Sequence, residues 1–136
     1  MISLLNILVF ILSFLMLITF LVYFHELGHY LMARLFKVKV EKFSIGFGKP
    51  LFQWKSKNGT IWSLGRIPLG GYVKFFEIGN QKNDVVSHIK NDDKLFTTIP
   101  VFQRMLVVLA GPIFNFILTI FIFAILSFTL GSYKVE

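Results

Sequence analysis

The chain contains no cysteine, which excludes disulfide bonds and any metal site built on thiolates. Charge is also scarce: charged residues make up 15% of the 136 residues, and the stretches 2–24 and 105–130 contain none. A helix needs about 20 apolar residues to cross a bilayer, and both stretches are long enough. Together with a 55% hydrophobic composition that includes 17 phenylalanines, this predicts an integral membrane protein with two spans.

The first apolar stretch lacks the features of a cleaved signal peptide. No basic residue precedes Arg34, the apolar run is longer than a signal-peptide core, and no small-residue cleavage site follows it. We therefore expect this stretch to be retained as a transmembrane helix that ends near Phe36.

The basic residues are concentrated between the two apolar stretches. All but one of the 14 Lys and Arg residues lie from Arg34 to Arg104, and the net charge is +7. Because cytoplasmic loops are enriched in Lys and Arg, we expect a multi-pass protein of the inner (cytoplasmic) membrane with residues 34–104 in the cytoplasm and both termini on the opposite side. Anionic lipid headgroups are expected partners of this segment. Nucleic acid is not, since no recognition element accompanies the charges.

The predicted fold class is membrane α-helical: two transmembrane helices with an intervening small, membrane-associated antiparallel β-sheet. The middle of the chain alternates aromatic and β-branched residues with polar ones, and Asn58-Gly59 is a strong signal for a tight turn. We expect three or four short strands there. The predicted segments are a first transmembrane helix (1–36), a β-hairpin region (37–76), a polar cytoplasmic loop (77–100), a second transmembrane helix (101–131) and a terminal tail (132–136).

The stretch LVYFHELGHYLMARLF places His25, Glu26 and His29 at the end of the first apolar run, in an H-E-x-x-H pattern. On a helix, residues four apart differ by about 40° in rotation and about 6 Å in rise, so the two imidazoles share a face and can bind one Zn²⁺. Glu26 can then act as general base toward a water activated by the metal. Ionisable groups at membrane depth are costly and usually functional, although anchoring at the membrane interface is an alternative.

This predicted zinc site is incomplete. A catalytic zinc normally has three protein ligands, and neither apolar stretch contains a further Asp, Glu, His or Cys. His88 lies in the polar loop with no partner at ligand spacing, so we expect a solvated side chain rather than a ligand. The third ligand is not identified from the sequence.

Four segments in the same order carry a resemblance to a known family: FHELGHYLMARLF, FSIGFGKPLFQW, RIPLGGYVKF and FQRMLVVLAGPIFNF. They resemble the site-2 protease family of intramembrane zinc metalloproteases, specifically the bacterial group that acts in regulated intramembrane proteolysis. The resemblance implies that His25 and His29 bind zinc and that Glu26 is the catalytic base. It also implies that the substrates are transmembrane proteins, such as anti-sigma factors or signal-peptide remnants.

The same resemblance suggests substrate-binding residues. Gly46, Phe47 and Gly48 match a family segment in a membrane-associated β-hairpin near the active site, where a strand edge could pair with an unwound substrate. A plain glycine turn is the alternative. Gly111 and Asn115 match the family's G-x-x-x-N pattern, and Asn115 either hydrogen-bonds to the substrate or the site, or joins the two helices.

The sequence also departs from the family. Family members continue into PDZ domains and further transmembrane helices, one of which carries an Asp that completes the zinc site, and nothing in these 136 residues corresponds to that part. Two interpretations stay open. The chain is the N-terminal catalytic half of an intramembrane zinc endopeptidase, or a truncated, non-catalytic membrane protein that binds a metal or a partner helix.

Overall fold

The computed structural model describes residues 3–77 and 93–131. In chain order its elements are helix α1 (Leu4–Leu35), strand β1 (Val40–Lys55), strand β2 (Ile61–Phe75) and helix α2 (Val101–Leu130). Two long apolar helices therefore flank an antiparallel sheet, as predicted. The central part of the polar loop with His88, and the tail 132–136, lie outside the described residues.

Both helices are long and apolar enough to cross a membrane. The core helix of a soluble protein would be mostly buried, but none of the most apolar 18-residue window of α1 is buried within the protein, and only 22% of the α2 window is. Their apolar surface thus faces outward. At 1.5 Å per residue, α1 is about 48 Å long, more than the roughly 30 Å of a bilayer's hydrocarbon core.

Local signals define the ends of α1. Ser3 caps the first turn, where its hydroxyl accepts a hydrogen bond from the Asn6 backbone N–H at 3.3 Å. Arg34 lies in the last turn, where a positive charge complements the helix dipole. Beyond it, Lys37 adopts a left-handed conformation with φ 60° and turns the chain toward the sheet.

The sheet consists of two long strands, so the expectation of three or four short strands was wrong. The register explains the difference, because residues 42–45 have partners in two stretches of β2, at 71–74 and at 61–64. The hairpin is folded back on itself, and the segments lie side by side in the order 71–74, 42–45, 61–64, 52–55. The segments are joined by bends within continuous strands rather than by separate loops.

Glycines permit this fold-back. Gly46 has φ 81°, and a β-carbon on it would lie 2.8 Å from the Ile67 carbonyl oxygen. A β-carbon on Gly65 would lie 2.6 Å from the Phe47 carbonyl oxygen. The two bends therefore approach each other so closely that a side chain would fit at neither position.

The predicted turn at Asn58-Gly59 is confirmed. The Gly59 N–H donates to the Ser56 carbonyl at 2.9 Å, and the Ser56 N–H donates to the Thr60 carbonyl at 2.9 Å. Gly59 has φ 83°, a conformation that glycine adopts at little cost.

The sheet packs along the second half of α1. Thr19, near the middle of the helix, donates a hydrogen bond to the Pro68 carbonyl at 3.2 Å. The main core lies further along, where the end of α1 meets the sheet and the start of α2; its buried members are Tyr30, Ala33, Val38, Val40, Phe43, Ile45, Ile99 and Val107. The outermost segment of the sheet is instead exposed, with Phe52 at 69% and Trp54 at 56%.

The described part of the polar loop returns to the end of α1. The Lys39 N–H donates to the Lys94 carbonyl at 2.9 Å, and Asp93 forms ion pairs with Arg34 and Lys39 at 3.3 and 3.2 Å. These contacts place the start of α2 beside the end of α1, so the two helices run antiparallel past each other.

Candidate active site

His25 and His29 lie on one face of α1, as the four-residue spacing predicts. Their ring centroids are 4.9 Å apart with the rings nearly perpendicular. Both Nε2 atoms approach Gly111 of α2: a β-carbon there would lie 2.8 Å from His25 Nε2 and would collide with His29 Nε2. Two imidazole nitrogens therefore converge on one small space, which fits a shared Zn²⁺ with bonds of about 2.0–2.1 Å.

The backbone of α2 orients His29. The Nδ1 atom of His29 lies 2.8 Å from the Val107 carbonyl oxygen. Because a carbonyl oxygen only accepts hydrogen bonds, Nδ1 must carry the proton, and Nε2 keeps its lone pair for a metal. Metal-binding histidines are commonly held in this way through their second ring nitrogen.

Asn115 of α2 lies beside the other histidine. Its amide nitrogen is 3.5 Å from His25 Nδ1, and its amide oxygen is buried without a hydrogen-bond partner among the residues that the structure describes. The side chain therefore points into the space between the helices. The prediction that Asn115 binds substrate is not tested by this contact.

Small residues let α2 come close to this face of α1. A β-carbon on Gly28 would lie 2.5 Å from the Ala110 carbonyl oxygen and 2.9 Å from Phe114 Cγ. Glycine at position 28 therefore allows α2 to pack directly against α1.

Glu26 and His29 line a cavity of about 290 Å³. The walls come from three elements: Glu26 and His29 from α1; Gly71, Tyr72, Val73 and Phe75 from β2; and Val107 and Val108 from α2. A β-carbon on Gly71 would lie 3.0 Å from Glu26 Cγ and 2.8 Å from the Ser44 carbonyl oxygen. Glycine at this position thus allows the strand to approach the glutamate.

The described part of the site offers two candidate metal ligands, His25 and His29. Among the described residues, no group of three or more His, Cys, Asp or Glu side chains could hold a metal ion. The site therefore offers two imidazoles and an adjacent carboxylate, as the sequence predicted.

Gly46, Phe47 and Gly48 do not line this cavity; they form a bend of β1. The ring of Phe47 covers Gly70, where a β-carbon would lie 2.8 Å from Phe47 Cζ, and it stacks on Tyr72 with centroids 6.4 Å apart. Phe47 thus contacts the strand that borders the cavity. A role for this segment in substrate binding is still a prediction.

Two walls of the site were not predicted from the sequence. The β2 edge at 71–75 was treated as part of the sheet, and Gly111 was interpreted only through the G-x-x-x-N pattern. The glycine pair Gly70-Gly71 was a signal that something approaches the backbone there. Nothing local to Gly111 indicates that it faces histidines more than 80 positions earlier.

The site consists of two histidines and a glutamate on one helical turn, covered by a second apolar helix and a strand edge. This arrangement is typical of a metallopeptidase centre between long apolar helices. Comparison with known families agrees: residues 13–135 match the model of Peptidase family M50. The chain belongs to this family, which confirms the resemblance to site-2 proteases.

Similar proteins carry matching names. The chain is 40% identical over 141 residues to "Metalloprotease MmpA" of Caulobacter vibrioides, covering 93% of this chain and 35% of the relative. Two relatives whose names describe candidate zinc metalloproteases are 45% identical over 114 residues in Rickettsia conorii (84% and 32% covered) and 44% identical over 121 residues in Brucella suis (85% and 32% covered). The chain thus spans about a third of the length of these relatives. At the level of the family, the predictions of a zinc metalloprotease and of Zn²⁺ as its cofactor are confirmed.

Proposed function

We propose that the chain forms the catalytic N-terminal part of an intramembrane zinc metalloendopeptidase, which hydrolyses peptide bonds within or near transmembrane segments, as in regulated intramembrane proteolysis. One observation carries this proposal. The metal-binding face of α1 borders a cavity whose opposite wall is the edge of β2, from Gly71 to Phe75. Metal ligands, a carboxylate base and a peptide-binding edge therefore meet in one place.

Membrane location is supported by the exposed apolar surfaces of both helices. Arg34 marks the cytoplasmic interface, and His25 lies nine residues earlier, about 14 Å along the helix axis. We infer from this depth that the site lies within the hydrocarbon layer of the inner membrane, with residues 34–104 on the cytoplasmic side. A peptidase centre at that depth meets transmembrane segments rather than soluble chains.

The β2 edge offers a way to hold the substrate. The stretch 71–74 pairs with 42–45 on one side, and in the described part of the chain no strand lies on its other side. An unwound stretch of substrate can add to this edge as a further strand, with main-chain hydrogen bonds supplying the affinity. A peptide bound there would lie in the cavity that Glu26 lines.

The residues then have separate roles. His25 and His29 hold the zinc ion, which when bound supplies a Lewis acid and an activated water. Glu26 takes a proton from the attacking water and returns it to the amide nitrogen of the departing strand. Val107 and Val108 form an apolar wall of the cavity.

Substrates and partners follow from the family resemblance. Single-span membrane proteins, of the kind of anti-sigma factors or signal-peptide remnants, are the proposed substrates, and lipid surrounds the helices. The third zinc ligand would be an Asp from a part of the protein outside these residues.

One observation favours a second candidate function. Only two histidines and one glutamate meet at the site among the described residues, which is also compatible with a non-catalytic protein that binds a metal or a partner helix. The two candidates differ in what they require of Glu26: catalysis needs its carboxylate, whereas metal binding through the two histidines does not.

The test is Glu26→Gln in the full-length protein, reconstituted in lipid with a single-span substrate. Removal of a general base typically costs about 10²–10⁴-fold in rate, so we expect cleavage to fall by at least about a hundredfold while bound zinc, measured by atomic absorption, stays at the wild-type level. Glu41→Gln is the matched control, because Glu41 pairs with Lys74 at 3.0 Å outside the cavity. Wild-type cleavage by the Glu26→Gln protein would contradict the proposal and favour the binding function.

A further inference from the structure

Helix α2 holds both zinc-binding histidines, but through different groups. Val107, Gly111 and Asn115 follow one another at four-residue spacing and so lie on one face of α2. The first contacts His29 through its carbonyl, the second leaves room for both Nε2 atoms, and the third contacts His25 through its side chain. Three successive turns of α2 therefore contact His29, leave space for both Nε2 atoms and contact His25, in that order.

The Val107 carbonyl can only accept a hydrogen bond, whereas the Asn115 amide can either accept or donate one. A side-chain amide accepts through its oxygen and donates through its NH₂, and a half-turn about its last bond exchanges the two groups. The contact with His25 Nδ1 can therefore place the ring proton on either nitrogen of His25.

The position of His25 Nε2 decides between the two orientations. If the NH₂ donates to Nδ1, the ring proton is on Nε2, and Nε2 has no lone pair for a metal. If the amide oxygen accepts from Nδ1–H, Nε2 is free. Since Nε2 of His25 and Nε2 of His29 approach the same place beside Gly111, only the second orientation lets both histidines bind one ion. The hydrogen bonds of the amide itself do not distinguish the two orientations, because either one leaves one buried amide group without a partner. The distinction comes from the need for a free lone pair on His25 Nε2.

We propose that Asn115 is a positioning residue whose amide oxygen accepts a hydrogen bond from His25 Nδ1–H and thereby makes Nε2 the zinc-binding nitrogen. The inference rests on the proposed function, because it assumes that zinc binds at the two histidines. Asn115 acts through His25 and does not itself contact the metal or the reacting atoms.

The test compares two substitutions of similar size in the full-length protein in lipid nanodiscs. Asn115→Asp keeps an acceptor and, when ionised, cannot donate, and Asn115→Leu removes both functions. The measurements are the zinc dissociation constant, by competition with a chelator, and the ¹⁵N chemical shifts of the histidine rings in metal-free protein. Loss of an outer-shell partner typically weakens metal binding by about 10–100-fold, so we expect that loss for Asn115→Leu and an affinity within about threefold of wild type for Asn115→Asp.

The ring spectra separate a positioning role from a packing role. We expect the proton of His25 to lie on Nδ1 in the wild type and in Asn115→Asp, and to be shared between both nitrogens in Asn115→Leu, with His29 unchanged in all three. Thr119→Val is the matched control: the exposed Thr119 hydroxyl bonds to the Asn115 carbonyl at 2.9 Å, and its removal should change neither measurement.

Several outcomes would overturn the inference. Wild-type zinc affinity in Asn115→Leu would do so, and so would an affinity in Asn115→Asp as weak as that of Asn115→Leu. If Asn115→Leu does not fold, the wild-type spectrum decides, and a proton on Nε2 of His25 in metal-free wild type contradicts the inference. A wild-type protein that binds no zinc would instead contradict the proposed function.

Discussion

The two helices look alike in composition and differ in what they contribute to the site. Helix α1 has 32 residues and α2 has 30, and both are uncharged over a span-length stretch. Among the described residues, helix α1 supplies the reactive groups of the candidate site: two imidazoles and a carboxylate. Helix α2 supplies a backbone carbonyl, an empty position at a glycine and one amide. The carbonyl contacts His29, the glycine leaves space for both Nε2 atoms, and the amide contacts His25.

This difference teaches that a reactive pattern on a helix is not yet a site. H-E-x-x-H places two imidazoles on one face, but their rotation about the side-chain bonds is left free. The contact of His29 with Val107 at 2.8 Å removes that freedom for one ring. Pro112 lies inside α2 and leaves the Val108 carbonyl without its helical donor, but His29 bonds to the carbonyl of the preceding residue, Val107.

The comparison predicts the largest effect for loss of a ligand on α1. His29→Ala should weaken zinc binding by at least roughly a hundredfold, because complete four-ligand zinc sites bind with about 10–16 kcal/mol and each ligand supplies a substantial share. Zinc content and chelator competition on the full-length protein measure this. His88→Ala is the control, since the sequence predicts no metal role for it. Equal zinc loss in both variants would show that the ligand assignment is wrong.

A smaller effect on zinc affinity is expected for substitution of Gly111 of α2, which has no reactive group. Alanine has a higher helix propensity than glycine by about 1 kcal/mol, so Gly111→Ala alone would favour the helix. The added β-carbon, however, would lie 2.8 Å from His25 Nε2 and would collide with His29 Nε2. Because overpacking costs about 1–3 kcal/mol, we expect zinc affinity to fall by about tenfold to a hundredfold.

The control for this effect is Ser127→Ala, which places alanine at an exposed position near the other end of the same helix. It should bind zinc as the wild type does. If Gly111→Ala also bound zinc normally, α2 would not form a wall of the metal site, and the division of roles between the helices would be wrong.

The features that the sequence predicted are local ones. The helices follow from uninterrupted apolar runs, the turn from Asn58-Gly59, and the shared face of His25 and His29 from their spacing. Each of these depends on residues within a few positions of one another, where backbone geometry determines the outcome.

The features that the sequence did not predict depend on distant residues. The fold-back of the hairpin requires Gly46 to approach Ile67, and the pairing of 42–45 with both 61–64 and 71–74 is not visible in the alternation of either strand. Likewise, Gly111 looks like an ordinary small residue of a packed helix. Only the three-dimensional structure shows that the space above it receives both imidazole nitrogens.

The smallest predicted effect comes from a comparison of two threonines, one in each helix. Thr19 of α1 donates to the Leu15 carbonyl at 2.7 Å and to the Pro68 carbonyl at 3.2 Å, so it joins the helix to the bend of β2. Thr129 of α2 bonds only to carbonyls of its own helix, Ile125 at 2.9 Å and Leu126 at 3.3 Å, among the described residues. A hydrogen bond contributes about 0.5–1.5 kcal/mol net, and the bond from Thr19 to Pro68 is part-buried.

Thr19→Val should therefore lower the free energy of unfolding by about 1 kcal/mol, whereas Thr129→Val should change it by less than about 0.5 kcal/mol. Reversible unfolding in detergent, followed by tryptophan fluorescence, measures both, because Trp54 and Trp62 lie in the sheet. Zinc affinity should be unchanged in each variant, since neither threonine contacts the site. Equal losses from the two substitutions would mean that Thr19 stabilises only its own helix, and that the sheet is held to α1 by its apolar core alone.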